Sequence, residues 1–159
     1  MFATFTYESR SPEETARLAR LLGERAFAGM LITLDGELGA GKTTFSQAFA
    51  AAIGVRETVN SPTFTLIKEY EGDKFPFYHM DAYRLTLMEA DDLGLDEYFY
   101  GEGVTLLEWA ERIEPMLPLE RLEMRLEVVN DSGRFFLLYP HGSAYLKLCM
   151  ELKANGVLQ

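Results

Sequence analysis

Gly36-Glu37-Leu38-Gly39-Ala40-Gly41-Lys42-Thr43 matches the pattern G-x-x-x-x-G-K-[ST] in full. Each residue type has a physical task there. Glycines let the backbone wrap closely, so that successive N–H groups can point at phosphate oxygens. A helix beginning at Lys42 adds free N–H groups and a positive dipole end. The Lys42 ammonium can reach the β- and γ-phosphates, and the Thr43 hydroxyl is placed to bind Mg2+. Such a loop also needs acids near the metal and the attacking water. Asp81 and Glu108 are the candidates, because each closes an apolar strand-like run: Phe77-Tyr78-His79-Met80 and Val104-Thr105-Leu106-Leu107. In open α/β sheets, ligands sit at the carboxyl ends of strands. Residue type alone leaves each of them open as an ordinary surface acid.

Three further positions carry two readings each. Pro62 restricts Ser61 to extended geometry, and Thr63 behind it either starts a strand or presents a hydroxyl that senses phosphate or metal, as a switch loop does. His79 is either packed or catalytic. Trp109, the sole tryptophan, either fills the core or borders a nucleotide and stacks on a base.

Elements must bring these residues together. Residues 3–7 alternate as a short strand. Ser11-Pro12-Glu13-Glu14 reads as a capping box with Pro at the first helical position, and Ala16, Ala19, Leu22 and Ala26 then share one helix face. Gly29 is expected to end that helix. Met30–Leu34 is suited to a buried strand leading into the glycine loop. Beyond the loop, Phe45, Ala48, Phe49, Ala52 and Ile53 form an apolar helix stripe that stops at Gly54. Phe64–Tyr70 and Phe75–Met80 flank Glu71-Gly72-Asp73-Lys74 as a hairpin, with Pro76 placing its strand at an edge or starting it later. A helical stretch over Met88–Phe99 precedes the Val104–Leu107 strand. Leu122, Met124, Leu126 and Val128 alternate with charges, the Asn130–Gly133 turn follows, and Phe135–Tyr139 returns. A last helix runs from Ser143 to about Lys153. This order predicts an α/β three-layer P-loop domain over residues 1–159, with a mixed central sheet of parallel core strands and antiparallel hairpin strands.

The 159 residues carry 15 Lys+Arg against 25 Asp+Glu, a formal net charge of -10. That balance opposes a phosphate backbone, so little or no direct nucleic-acid contact is expected. Six acids between Glu89 and Glu102, with no Lys or Arg among them, read as a solvated face or as a docking edge for a basic protein. The single Cys149 excludes a disulfide framework and fits a reducing cytoplasm. The first residues lack a basic segment followed by an apolar run, and no apolar run suffices for a membrane span.

The blocks GELGAGKTT (36–44), SPTFTL (61–66), YHMDAYRL (78–85), LGLDEYF (93–99) and LLEW (106–109) together resemble the TsaE family, also called YjeE. The P-loop alone is shared widely, whereas SPTFTL, H-x-D-x-Y-R and L-x-E-W in this order are far more specific. The resemblance runs from about Ser11 to Arg134 and is loose beyond that. It implies a small Mg2+-dependent ATPase that works with TsaD and TsaB in attaching threonylcarbamoyl to the adenosine beside the anticodon of tRNA. It further implies Thr43 and Glu108 as magnesium ligands, with Asp81 near the γ-phosphate and water. Thr63 falls in a switch-like loop, and Ser11, Trp109 and Arg134 border the nucleotide. Lys42, Asp81 and Glu108 are then the catalytic group, with Gly36, Glu37, Leu38, Gly39, Ala40, Gly41, Thr43 and Thr44 around the phosphates. Slow hydrolysis alone and faster hydrolysis in a complex are expected, because no obvious arginine finger stands out: Arg84 is one local candidate, and a partner could supply it. Two rivals are a small-molecule kinase, disfavoured because only Arg56 and Arg84 lie between Thr44 and Arg112, and a nucleotide-gated binding module.

Overall fold

The computed structural model describes residues 3–37, 41–62 and 66–159. Leu38, Gly39, Ala40 and Thr63, named above as site residues, lie outside these. Among the described residues, seven strands form one sheet in the order β1-β7-β6-β2-β5-β4-β3. They are β1 (Phe5–Ser9), β2 (Leu31–Gly36), β3 (Ile67–Glu71), β4 (Pro76–Asp81), β5 (Val104–Glu108), β6 (Arg121–Val128) and β7 (Arg134–His141). The helices are α1 (Pro12–Glu24), α2 (Lys42–Ala52), α3 (Leu87–Asp92), α4 (Leu95–Phe99) and α5 (Ser143–Ala154), with a 3-10 segment at Ala110–Met116.

The parallel centre is β6-β2-β5-β4, and hairpin partners β3 and β7 add antiparallel strands on either side. β2 is buried along Leu31–Asp35, as a central strand with a neighbour on each side requires, and it buries Thr33 and Asp35 along with its apolar residues. On one face Ile32, Leu34, Phe77, Leu106 and Met124 pack under Leu18, Leu22, Phe45 and Phe49 of α1 and α2. On the other face Leu31, Met80 and Leu107 pack under Ala90, Leu95, Phe99 and Ile113. Three layers therefore stand over β2, β5 and β4. Over β6, Arg125 and Glu127 of the outward-facing set are exposed.

Local chemistry departs from the sequence expectations in four places. Ser11 caps α1 by accepting the Glu14 N–H, but the Glu14 carboxylate accepts the Arg10 N–H at 2.9 Å, so the reciprocal bond goes one residue early. A complete capping box forms instead at Thr86–Glu89, opening α3. α1 ends at Glu24, before Gly29, and the stretch expected as one helix over Met88–Phe99 is two helices parted by Gly94 at φ 66°. Pro76 is the first residue of β4, which lies inside the sheet between β3 and β5; a strand's first position tolerates the missing N–H.

Candidate functional site

Parallel strands point their carboxyl ends the same way, so register decides what meets at that edge. Gly36 closes β2, Glu108 closes β5 and Asp81 closes β4, with Asp81 directly beside Glu108. β7 and β1 run antiparallel and parallel to this set, which brings Ser9 and Arg134 opposite one another at the same edge. α1 and α2 both begin there.

Gly36 must be glycine for space: a Cβ would lie 2.7 Å from the Leu126 carbonyl oxygen. Gly41 caps α2 at φ 101°, a left-handed conformation that glycine adopts without steric penalty. Lys42 opens α2 and is buried. Its Nζ donates to the Gly36 carbonyl at 2.8 Å and sits 3.9 Å from the centre of the Trp109 ring. Burial lowers its pKa, opposed by the charges of Glu108, Asp81, Asp35 and Glu111 in that order. The ammonium is thus poorly solvated, and the charges of the nearby acids favour its protonated form. Thr43 is exposed and Thr44 half-buried on the first turn. Glu37 is exposed at the loop's start.

Asp81 is buried, and its Oδ1 accepts the Tyr83 N–H at 2.8 Å. Its own N–H donates to the Leu66 carbonyl at 2.9 Å. Leu66 is thereby fastened to the end of β4. The Gln47 amide of α2 donates to the Val59 carbonyl at 3.0 Å. Glu108 is also buried, with Oε2 2.6 Å from Nε2 of His79, whose side chain is wholly enclosed. Trp109 follows with φ 56°, an uncommon conformation for a residue with a Cβ. That turn lays its ring against Lys42 and Tyr83.

Ser11 and Arg134 stand further along the same edge. A cleft of about 290 Å³ lies between Glu8, Ser9 and Arg10 on one side and Asn130, Gly133 and Arg134 on the other. The Arg134 guanidinium donates to the Asn130 and Gly133 carbonyls at 2.9 Å each. β1 is three strand spacings from β2, roughly 14 Å. The structure thus gathers Lys42, Asp81, Glu108 and Trp109 tightly and leaves Ser11 and Arg134 at a distance on the same rim.

Two residues gain a role that pattern reading did not give them. His79 was open between packing and chemistry, and its bond to Glu108 ties it to the site. Period-two spacing was the available signal, since His79 and Asp81 share a face of β4. Asp35, just before the loop, is buried with its Oδ1 accepting the Glu111 N–H at 3.2 Å. Burial pushes its carboxyl up to about 6. Only its position before Gly36 could have flagged it.

A strand, a glycine loop and a helix with its lysine, set at the carboxyl edge of a parallel-centred sheet beside two buried acids, define a P-loop NTPase-like fold. The family model described as "Threonylcarbamoyl adenosine biosynthesis protein TsaE" matches residues 9–136. The "tRNA threonylcarbamoyladenosine biosynthesis protein TsaE" of Bacillus subtilis is 50% identical over 145 residues, covering 91% of each chain. The protein of the same description from Treponema pallidum is 41% identical over 127 residues, covering 79% of this chain and 93% of that one. The crystal structure of Bacillus subtilis YdiB superposes with a TM-score of 0.86 at 43% identity, covering 98% of each chain. This chain belongs to the TsaE family.

Proposed function

We propose that this chain binds ATP with Mg2+ at the 36–44 loop and hydrolyses it in support of tRNA threonylcarbamoyladenosine modification by a TsaD–TsaB pair. One observation carries the reading: the buried Lys42 opens α2 at the sheet's carboxyl edge, where Asp81 and Glu108 close adjacent parallel strands side by side. A cation held among acids at a helix start suits a site that must take both phosphates and a divalent metal.

The donor set fits magnesium, a hard cation that prefers oxygen and keeps much of its water. The Thr43 hydroxyl stands on the first turn of α2, and Glu108 offers a carboxylate; these two would hold the ion. Held there, a magnesium ion would supply charge neutralisation to the transferring phosphoryl group. Lys42 binds the phosphates as a point charge. Asp81, fixed by the Tyr83 N–H, orients the attacking water. Trp109 covers Lys42 and borders the phosphate end. Thr63, Ser11 and Arg134 complete the nucleotide's surroundings, Thr63 as a switch residue. Catalysis by this chain is positioning and charge neutralisation, with no covalent intermediate on the protein.

The partners are proteins rather than tRNA, since a net charge of -10 repels a phosphate backbone. Glu89, Asp91, Asp92, Asp96, Glu97 and Glu102 are all exposed, interspersed with exposed Leu87, Met88, Leu93 and Tyr100. That mixed surface suits a basic protein face. The setting is the cytoplasm, and no helix among the described residues is long and apolar enough to cross a membrane.

Reconstitution tests the proposal. Modified tRNA is counted per TsaD–TsaB complex with and without this chain, and ADP release is followed alongside. Multiple turnovers only with the chain, with ADP released and no phosphorylated acceptor, are expected. Equal turnover without it refutes the role, and a phosphorylated small molecule moves the chain to the kinases.

A further inference from the structure

His79 is wholly enclosed, yet it is a polar side chain in an apolar setting. Its ring stacks on Phe77, with centroids 5.9 Å apart at 23°. Leu106 is its register partner on β5. Burying an imidazole there carries a desolvation cost that a leucine would avoid. Nδ1 has no hydrogen-bond partner among the described residues. The sole return is at Nε2, which lies 2.6 Å from Oε2 of Glu108.

That single bond has directional content. A proton shared between Nε2 and Oε2 commits that carboxylate oxygen to the imidazole. Oε2 is therefore occupied, whereas Oε1 has no hydrogen bond among the described residues. The bond joins adjacent parallel strands two residues apart in register, so the rigid sheet sets its geometry. The carboxylate cannot turn without losing its one short bond. An outer partner that fixes which ligand oxygen faces a metal is a recurrent device at metal sites.

We infer that His79 is a positioning residue that holds Oε2 of Glu108 and presents Oε1 to the divalent ion. The inference rests on the proposed reading of Glu108 as a magnesium ligand. His79 touches neither metal nor nucleotide; it acts through Glu108 alone.

The test measures Mn2+ binding by electron paramagnetic resonance in the presence of a non-hydrolysable ATP analogue, on the full chain. His79→Leu is expected to weaken Mn2+ binding about 10- to 100-fold, the usual range for an outer-shell partner. His79→Gln, which can carry an amide donor to the same carboxylate, is expected to recover most of that loss. Affinity for the analogue in EDTA should be unchanged in both. In a Glu108→Ala background, His79→Leu should have no further effect on Mn2+. Unchanged Mn2+ affinity in His79→Leu overturns the inference. Should His79→Leu fail to fold, Mn2+ binding by His79→Gln decides: near wild-type affinity supports the role and loss beyond ten-fold overturns it. If the wild-type chain itself binds no Mn2+ with the analogue, the metal reading falls, and this inference with it.

Discussion

Asp81 and Glu108 lie side by side across the parallel β4–β5 ladder, and the Glu108 carbonyl accepts the Ala82 N–H at 3.0 Å. Each carboxylate also has its own hydrogen-bond partner, the Tyr83 backbone N–H for Asp81 and the His79 imidazole for Glu108. Two neighbouring carboxylates are thus held apart in role by separate anchors. The chemistry and the stability of this pair can be separated by choice of substitution.

Glu108→Gln keeps an oxygen that accepts from His79, whereas Glu108→Ala leaves that buried donor unpaired. Both are expected to lose Mg2+-dependent hydrolysis. Only the alanine variant should lose stability, by about 1–3 kcal/mol. ATPase assays with urea unfolding check both, and undiminished hydrolysis in either removes the assignment of Glu108.

Lys42→Met should abolish nucleotide binding without lowering the melting temperature. The burial that lowers the pKa of Lys42 means its ammonium is worse solvated than in water. Methionine retains the length and sheds the charge. Nucleotide titration and thermal unfolding together decide it; a clear fall in stability would show that the Gly36 and Trp109 contacts outweigh desolvation.

Asp35 gives stability a pH dependence of definite sign. Burial raises its carboxyl from 3.8 to about 6, with Glu111 and Glu123 adding to the rise and the Glu111 N–H and Arg125 opposing it. The folded chain therefore holds a proton that the unfolded chain has released between these values. Stability from this group is present below about pH 4 and is lost as pH rises through 6, by roughly 3 kcal/mol at most. Asp35→Asn still accepts from Glu111, and is expected to be the more stable form at pH 7–8, with the difference vanishing near pH 4. Urea unfolding of both chains across that range is the measurement, and a constant difference would contradict it.

Gly36→Ala places a methyl group against the Leu126 carbonyl, a backbone atom with a neighbour on its other side. Overpacking of this kind costs about 1–3 kcal/mol. Weakened nucleotide binding should accompany it, because β2 feeds directly into the loop. Wild-type stability and binding would mean that β6 yields more readily than its pairing suggests.

Charge reversal at Asp91, Asp92 and Glu97 tests the partner surface. Such exposed changes usually alter stability by no more than about 0.5 kcal/mol. Basal ATP hydrolysis should be unchanged and acceleration by TsaD–TsaB should fall. Full acceleration would return this surface to a merely solvated face.

What the sequence made legible was what periodicity and spacing encode. The β2–loop–α2 unit was readable because an apolar run, glycines and a 3.6-residue stripe each point to one structure. Asp81 and Glu108 were readable as strand ends. Their adjacency was not, since register between β4 and β5 depends on tertiary packing. The same limit hid the His79–Glu108 bond, which joins residues far apart in the chain. Local punctuation misled where two signals competed: Gly94 broke a helix that the apolar spacing would have continued, and Pro76 opened an interior strand. Ser11 and Arg134 were reached through family resemblance alone, and the fold brings them to the rim only through three antiparallel and parallel pairings.

β2 pairs on its two sides with β5 and β6, and this has a consequence in time. During synthesis the phosphate loop leaves the ribosome early, on a strand with both edges bare. Its acids and Trp109 follow much later, and β6 closes the second edge only after residues 121–128 are made. At ordinary elongation rates of about 5–20 residues per second, the nascent loop waits several seconds for its companions. A growing chain can therefore display the lysine motif long before it owns a site that holds a metal-bound nucleotide.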